Sequence, residues 1–179
     1  MAALYGKKDT FEMLMAKGAD LTLTDDNNNN VLHLACQGGN RFILERLLPL
    51  FDINCRRNEG LTGVMMAVLC GKKDTFEMLV SAGADLTLTD DFNNNVLLLA
   101  SSKGGNMTIV EDVIDLFDIN TRGVHGCTPL LEAASGGHMA VVGFLVSRKA
   151  DVKMVDNSGN SLLHAACYYG HLGMVKHVR

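Results

Sequence analysis

The sequence predicts an all-α solenoid of stacked helix-turn-helix units whose connecting segments form β-turn or hairpin fingers. Three observations carry that prediction. Residues 6–32, GKKDTFEMLMAKGADLTLTDDNNNNVL, return at 71–97 with four differences across an offset of 65. The glycines that follow a helix rich in small residues, Gly6, Gly39, Gly71, Gly105, Gly137 and Gly170, are spaced by 33, 32, 34, 32 and 33 residues, too regular for the loops of a single globular core. Five turn segments keep the same rhythm, at 25–29, 57–61, 90–94, 123–127 and 156–160.

Read in order, residues 1–179 form one domain, with units at 1–24 (partial), 25–56, 57–89, 90–122, 123–155 and 156–179 (partial). Each unit from residue 25 onward opens on a turn whose fourth residue is Asn28, Gly60, Asn93, Gly126 or Gly159, the two residue types that best tolerate positive φ. A short first helix follows, as in TPLLEAASGG at 128–137 and SLLHAACYYG at 161–170. Its alanines, Ala35, Ala67, Ala100, Ala133, Ala134 and Ala166, allow close approach between units, and Leu32, Val64, Leu97, Leu130 and Leu163 are expected to fill the interior. After the glycine, apolar residues at helical spacing mark a second helix, as in Phe76, Met78, Leu79 and Val80, or Val141, Val142, Phe144, Leu145 and Val146. Pro49 ends one such helix early.

This unit resembles the ankyrin repeat, whose pattern is a G-x-TPLH-x-AA-x-x-GH core followed by a second helix and a GAD-V-N finger. The fourth unit matches best, with Gly126, Thr128-Pro129-Leu130, Ala133-Ala134 and Gly137-His138. The fifth keeps Gly159, Leu163-His164, Ala166 and Gly170-His171, and the first keeps Leu32-His33, Ala35 and Gly39. Gly18-Ala19-Asp20 and Gly83-Ala84-Asp85 are finger tripeptides. Thr-Pro becomes Asn-Val at 30–31 and 95–96, and the third unit carries one extra residue near 101–105. Units one and three also lose a residue before Asp52-Ile53-Asn54 and Asp118-Ile119-Asn120. The resemblance covers nearly the whole chain, and it implies that His33 and His164 hydrogen-bond to tie neighbouring turns together.

Other chemistries find little support. A net charge of −4 and a pI near 5.8 offer no basic field to a nucleic acid or an anionic membrane. No stretch approaches the length of a membrane-spanning helix. Five cysteines, Cys36, Cys55, Cys70, Cys127 and Cys167, form no CxxC pair, and their odd number fits a reducing compartment, cytoplasmic or nuclear. His164 and Cys167 have helical spacing for two metal ligands but no second pair accompanies them. The Asp/Asn-rich turns at 25 and 90 put Cys36 and Ser101 where a calcium loop needs a bidentate Glu. No phosphate loop or nucleophile elbow is present, and no base marks Cys127 or Cys167 as activated. The expected function is therefore a scaffold that binds a protein or peptide, with no cofactor, no metal and no catalysis.

In the ankyrin family, ligands usually lie on the concave face built from the turn tips and the exposed side of the first helices. That resemblance assigns contact positions Asp26, Asn27, Asn29, Gln37 and Gly38, then Asn58, Glu59, Leu61, Leu69 and Cys70. Asp91, Phe92, Asn94, Ser102 and Lys103 follow, then Val124, His125, Cys127 and Ser135, then Asn157, Ser158, Asn160, Tyr168 and Tyr169. The leading candidates are Asn27, Glu59, Phe92, Lys103, His125, Tyr168 and Tyr169. Phe92 stands out because the near-identical copy of its turn has Asn27, and the two tyrosines combine apolar faces with polar tips. The resemblance also makes Asn54 and Asn120 candidates for asparaginyl hydroxylation. Ala2, Ala3 and Leu4 at one end, and Met174, Val175 and Val178 at the other, are residue types that interior units bury, so the chain is expected to be part of a longer array, monomeric unless these ends associate. Two rivals remain: the ankyrin portion of a membrane channel or receptor, and a mechanical spacer.

Overall fold

In a computed structural model, residues 1–102 and 105–171 are described, and the chain divides into two compact units, Met1–Asp91 and Phe92–Arg179. Both are all-α repeat structures. The first contains α1 (Lys8–Ala16), α2 (Val31–Gly38), α3 (Arg41–Leu47), α4 (Gly63–Leu69) and α5 (Lys73–Ser81). The second contains α6 (Val96–Ser101), α7 (Met107–Val113), α8 (Pro129–Ser135), α9 (Met139–Ser147) and α10 (Leu162–Tyr168). Within the first unit α2 lies against α4, and α3 lies between α1 and α5. Within the second, α8 lies between α6 and α10, and α7 packs beside α9. Each unit thus has a row of first helices and a row of second helices.

Three of the first helices, α2, α6 and α8, start where a short polar side chain caps them. Thr128 accepts a hydrogen bond from the Leu131 amide at 3.3 Å, and Asn30 and Asn95 do the same for His33 and Leu98 at 3.0 Å each. Asn is as good an N-cap as Thr, so the Asn-Val departures keep the helix start. Ala35, Ala67, Ala100, Ala133, Ala134 and Ala166 are all buried, as are Leu32, Val64, Leu97 and Leu130. Leu163 departs from expectation: it is 48% exposed. Its equivalent one repeat earlier, Leu130, sits on α8, which lies between α6 and α10. Ala2 and Leu4 are half-buried and Ala3 buried, whereas Met174, Val175 and Val178 lie outside the described residues.

Second helices are thinner in their buried stripe than the sequence implies. Phe76, Leu79, Val141, Val142 and Leu145 are buried, but Val80 and Val146 face solvent at the far end of their helices. Pro49 falls in a short 3-10 turn, Leu48–Leu50, that closes α3. The equivalent helix α7 closes in the same kind of turn, Ile114–Leu116, without a proline, so Pro49 fits the stop and does not cause it.

Among the described residues the fingers contain no extended strand; Arg56 bridges Thr62 and Val155 bridges Ser161 as isolated pairs. Their conformation comes from aspartates that bend the chain onto themselves. The carboxylates of Asp20, Asp52, Asp85, Asp118 and Asp151 each accept the amide two residues on, at 2.8–2.9 Å. Asn28, Gly60, Asn93, Gly126 and Gly159 all have positive φ. Glu59 (φ 66°) and His125 (φ 54°) do too, so the second and fourth turns carry two successive left-handed residues. A non-glycine side chain there is conformationally costly, which singles out Glu59 and His125 as residues held outward on strained tips.

Polar side chains tie repeat to repeat. His33 is buried; its Nδ1 accepts the Asn30 amide at 3.3 Å, and its Nε2 donates to the Cys55 carbonyl at 3.0 Å, in the finger ahead. The residue after the helix-ending glycine reaches backwards: Asn40 Nδ2 donates to the Gly6 carbonyl at 3.4 Å, and His171 Nε2 donates to that of Ser135 at 3.1 Å. Arg122 Nη1 bonds the carbonyls of Gly126 at 2.8 Å and Val155 at 3.0 Å, while Arg56 Nη2 bonds that of Thr89 at 2.5 Å. The alternation of acidic and basic turns thus has a structural use, since both arginines hold the turn 33 residues ahead.

Candidate functional site

The turn tips are joined through their backbones, leaving their side chains free to face outward. Asn58 N–H donates to the Asn27 carbonyl at 3.1 Å, Asp91 N–H to that of Glu59 at 2.9 Å, and Asn157 N–H to that of His125 at 2.9 Å. Asn94 substitutes its side-chain oxygen, which accepts the Val124 amide at 3.0 Å. Asn27, Glu59 and His125 therefore present exposed side chains on a backbone that a neighbouring turn has already fixed. Three other assigned contact positions are unavailable. Asn29 is buried with its amide donating to Asp25 Oδ2 at 2.9 Å, Asn94 is buried in its tie to Val124, and Leu61 is buried at the start of a helix. Lys103 lies outside the described residues.

In the second unit a groove of about 600 Å³ runs between the turn tips and the exposed sides of α8 and α10. His125, Cys127 and Ser135 line it from one repeat, and Ser158, Asn160, Tyr168 and Tyr169 from the next, with Asp156 and His164 between them. Seven of the assigned contact positions thus share one concavity. Tyr168 is 84% exposed, and its ring meets Tyr169 edge-on with centroids 5.0 Å apart. Tyr169 stacks in turn on His171 at 6.4 Å. Phe92 is half-exposed on its own turn.

The groove sets a fixed charge beside an aromatic pair. Asp156 accepts the Ser158 and Asn160 amides and the Asn160 side chain, and these hydrogen bonds, led by the last, hold its carboxyl below the usual range. It stays a fixed negative charge beside the aromatic pair. Cys127 stands near His125 and His164 without becoming a nucleophile. Burial, reinforced by the charges of Glu132 and Asp156, pushes its thiol up to about 11, so the thiolate is scarce at neutral pH. Burial likewise pushes Cys36 up to about 12. Among the described residues no cluster of three His, Cys, Asp or Glu side chains could hold a metal ion, and no helix is long and apolar enough to cross a membrane.

Asn54 and Asn120 occupy matching places in their fingers. Each side-chain oxygen accepts the amide of an aspartate in the next finger, Asp85 for Asn54 and Asp151 for Asn120, at 2.9 Å. Sequence reasoning gave the groove's lining but not the ties from Arg56 and Arg122, each 15 residues before a helix-ending glycine, or from Asn40 and His171, each directly after one.

Comparison with known proteins gives a consistent result. A family model described as ankyrin repeats in three copies matches residues 1–90 and again 97–178. The ankyrin repeat and KH domain-containing protein mask-1 of Caenorhabditis elegans is 28% identical over 86% of this chain and 6% of its own length. The probable 26S proteasome regulatory subunit p28 of Saccharomyces cerevisiae is 33% identical over 75% of this chain and 61% of its own. The transient receptor potential cation channel subfamily A member 1 of Homo sapiens is 27% identical over 92% of this chain and 15% of its own. The chain therefore spans less than two thirds of each of these relatives.

Proposed function

Because the chain belongs to the ankyrin-repeat family, a family of protein-protein interaction modules, we propose that it binds a protein or peptide partner in the groove between residues 123 and 169. The observation that carries this reading is the meeting of Tyr168, Tyr169 and His125 on one concavity whose backbone is already tied from turn to turn. Pre-ordering of that kind lowers the entropy lost on association. The binding energy comes from shape and from the aromatic pair, with Asp156 favouring a partner that brings a positive charge to the rim. Raised thiol pKa values at Cys36, Cys55 and Cys127 support a module that binds without catalysing, and five free cysteines support a reducing compartment, the cytoplasm or nucleus.

Tyr168→Ala and Phe92→Ala are expected to weaken partner binding by about 1–2 kcal/mol each while leaving the melting transition in place. Affinity capture followed by calorimetry with the recovered partner measures this, and an unchanged affinity for both variants removes these residues from the site. We further propose Asn54 and Asn120 as hydroxylation sites; native protein carrying only unmodified asparagine at both positions, by mass spectrometry, discards the idea. A second reading has the channel relative as its support: the array is the ankyrin portion of a membrane protein. It requires a span of about 20 apolar residues elsewhere in the full gene product.

A further inference from the structure

Glu132 stands where the other first helices carry an apolar residue. At the same distance from the residue that precedes each helix, the others have Leu34, Met66, Leu99 and Ala165, of which the last three are buried. Its own helix, α8, lies between α6 and α10, so the position is an interior one. Glu132 is half-buried there. Burial pushes its carboxyl up, opposed by the neighbouring Cys127 thiol and by the charge of His125. A carboxylate so placed loses hydration, and a cation that pairs with it offsets the loss. Among the described residues no lysine or arginine forms an ion pair with Glu132.

Cys127 and His125 connect this carboxylate to the groove. The charges of Glu132 and Asp156 both act on the Cys127 thiol, and the charge of His125 acts on both carboxylates. Cys127, His125 and Asp156 line the groove, as does Ala165, the equivalent of Glu132 one repeat on. Two negative charges therefore converge on Cys127 in a concavity that also presents Tyr168 and Tyr169. Arg122, whose charge reaches Cys127 as well, is already engaged, since its Nη1 donates to the carbonyls of Gly126 and Val155. The charge missing from this arrangement is positive, and the exposed tyrosine ring beside it accepts a cation on its face.

Resting on the groove as the binding surface, we propose that the partner segment presents an arginine, whose guanidinium enters toward Glu132 and Asp156 and lies over the ring of Tyr168. The planar fork gives parallel N–H donors to a carboxylate while its face stacks on the aromatic ring, a combination that the point charge of a lysine does not supply. Pairing with the half-buried Glu132 takes place where water screens less than at an open rim. The arginine thus sets which segments the groove accepts, and the rest of the lining sets how closely they fit.

The test pans a display library of random peptides against the full chain and keeps the binders that Tyr168→Ala loses. These groove-dependent peptides are expected to share one arginine, and replacing it with citrulline, which keeps its shape and removes its charge, is expected to weaken binding about tenfold or more. Glu132→Gln is expected to weaken the same peptides about tenfold without lowering the melting midpoint, because it removes a half-buried charge at nearly constant size. A peptide with glutamate in place of the arginine is expected to bind Glu132→Lys better than the natural chain. Groove-dependent peptides that share no arginine, that take lysine as readily, or that are indifferent to Glu132→Gln overturn the proposal and leave the groove standing as a binding surface. A library that yields no peptide lost by Tyr168→Ala overturns both.

Discussion

Leu130→Ala is expected to lower the stability of its repeat by about 2–5 kcal/mol, whereas Leu163→Ala, at the same place in the next repeat, is expected to cost less than about 1 kcal/mol. The two leucines follow the same turn and sit on equivalent helices, α8 and α10. Leu130 is buried with α6 on one side of its helix and α10 on the other, so truncation removes the transfer free energy of its side chain and leaves a cavity between helices that cannot close. Leu163 retains half of its surface in water, and its loss opens no enclosed space. Urea titration of each variant followed by circular dichroism measures the difference. Equal costs would show that Leu163 is enclosed in solution as fully as Leu130.

That pair also marks how far the sequence can be read. Periodicity placed both leucines in the interior, because a repeat pattern describes what a position does when it has neighbours on both sides. It carries no information about how fully each copy is covered. Val80 and Val146 are exposed for another reason: apolar by pattern, they sit at the ends of α5 and α9, past the buried stripe. The turn residues were legible for a different reason: positive φ at Asn28, Gly60, Asn93, Gly126 and Gly159 is a local backbone requirement, written in residue type. Glu59 and His125 break that rule, since neither type announces a left-handed conformation, and they sit at turn tips whose carbonyls hold the next turn. The groove lining was legible through the family pattern, while the burial of Asn29, Asn94 and Leu61 was not, because hydrogen bonds to Asp25 and Val124 and packing before α4 draw those side chains inward.

His33→Ala is expected to cost about 2–4 kcal/mol, because the Cys55 carbonyl and the Asn30 amide each lose their partner in a place that water reaches poorly. His164→Ala removes a ring that, among the described residues, hydrogen-bonds within its own cap to Ser161, and is expected to cost less than about 1 kcal/mol. The His33 ring must be neutral to serve, since Nδ1 accepts one bond while Nε2 donates the other. Burial pushes its pKa below 6.5, opposed by the Cys55 carbonyl and aided by the charge of Arg57. The unfolded chain therefore takes up a proton at a higher pH than the folded chain does. The stability contributed by the neutral ring is fully present above about pH 6.5 and is lost as pH falls through the lower folded value. The melting midpoint of the natural chain is accordingly expected to fall more steeply between pH 7.5 and pH 5 than that of His33→Ala, with identical buffers cancelling the carboxylates that titrate in both. Parallel curves for the two proteins would mean that the ring takes up its proton at the same pH in the folded and unfolded chains, and the clamp on Cys55 would then require a different description.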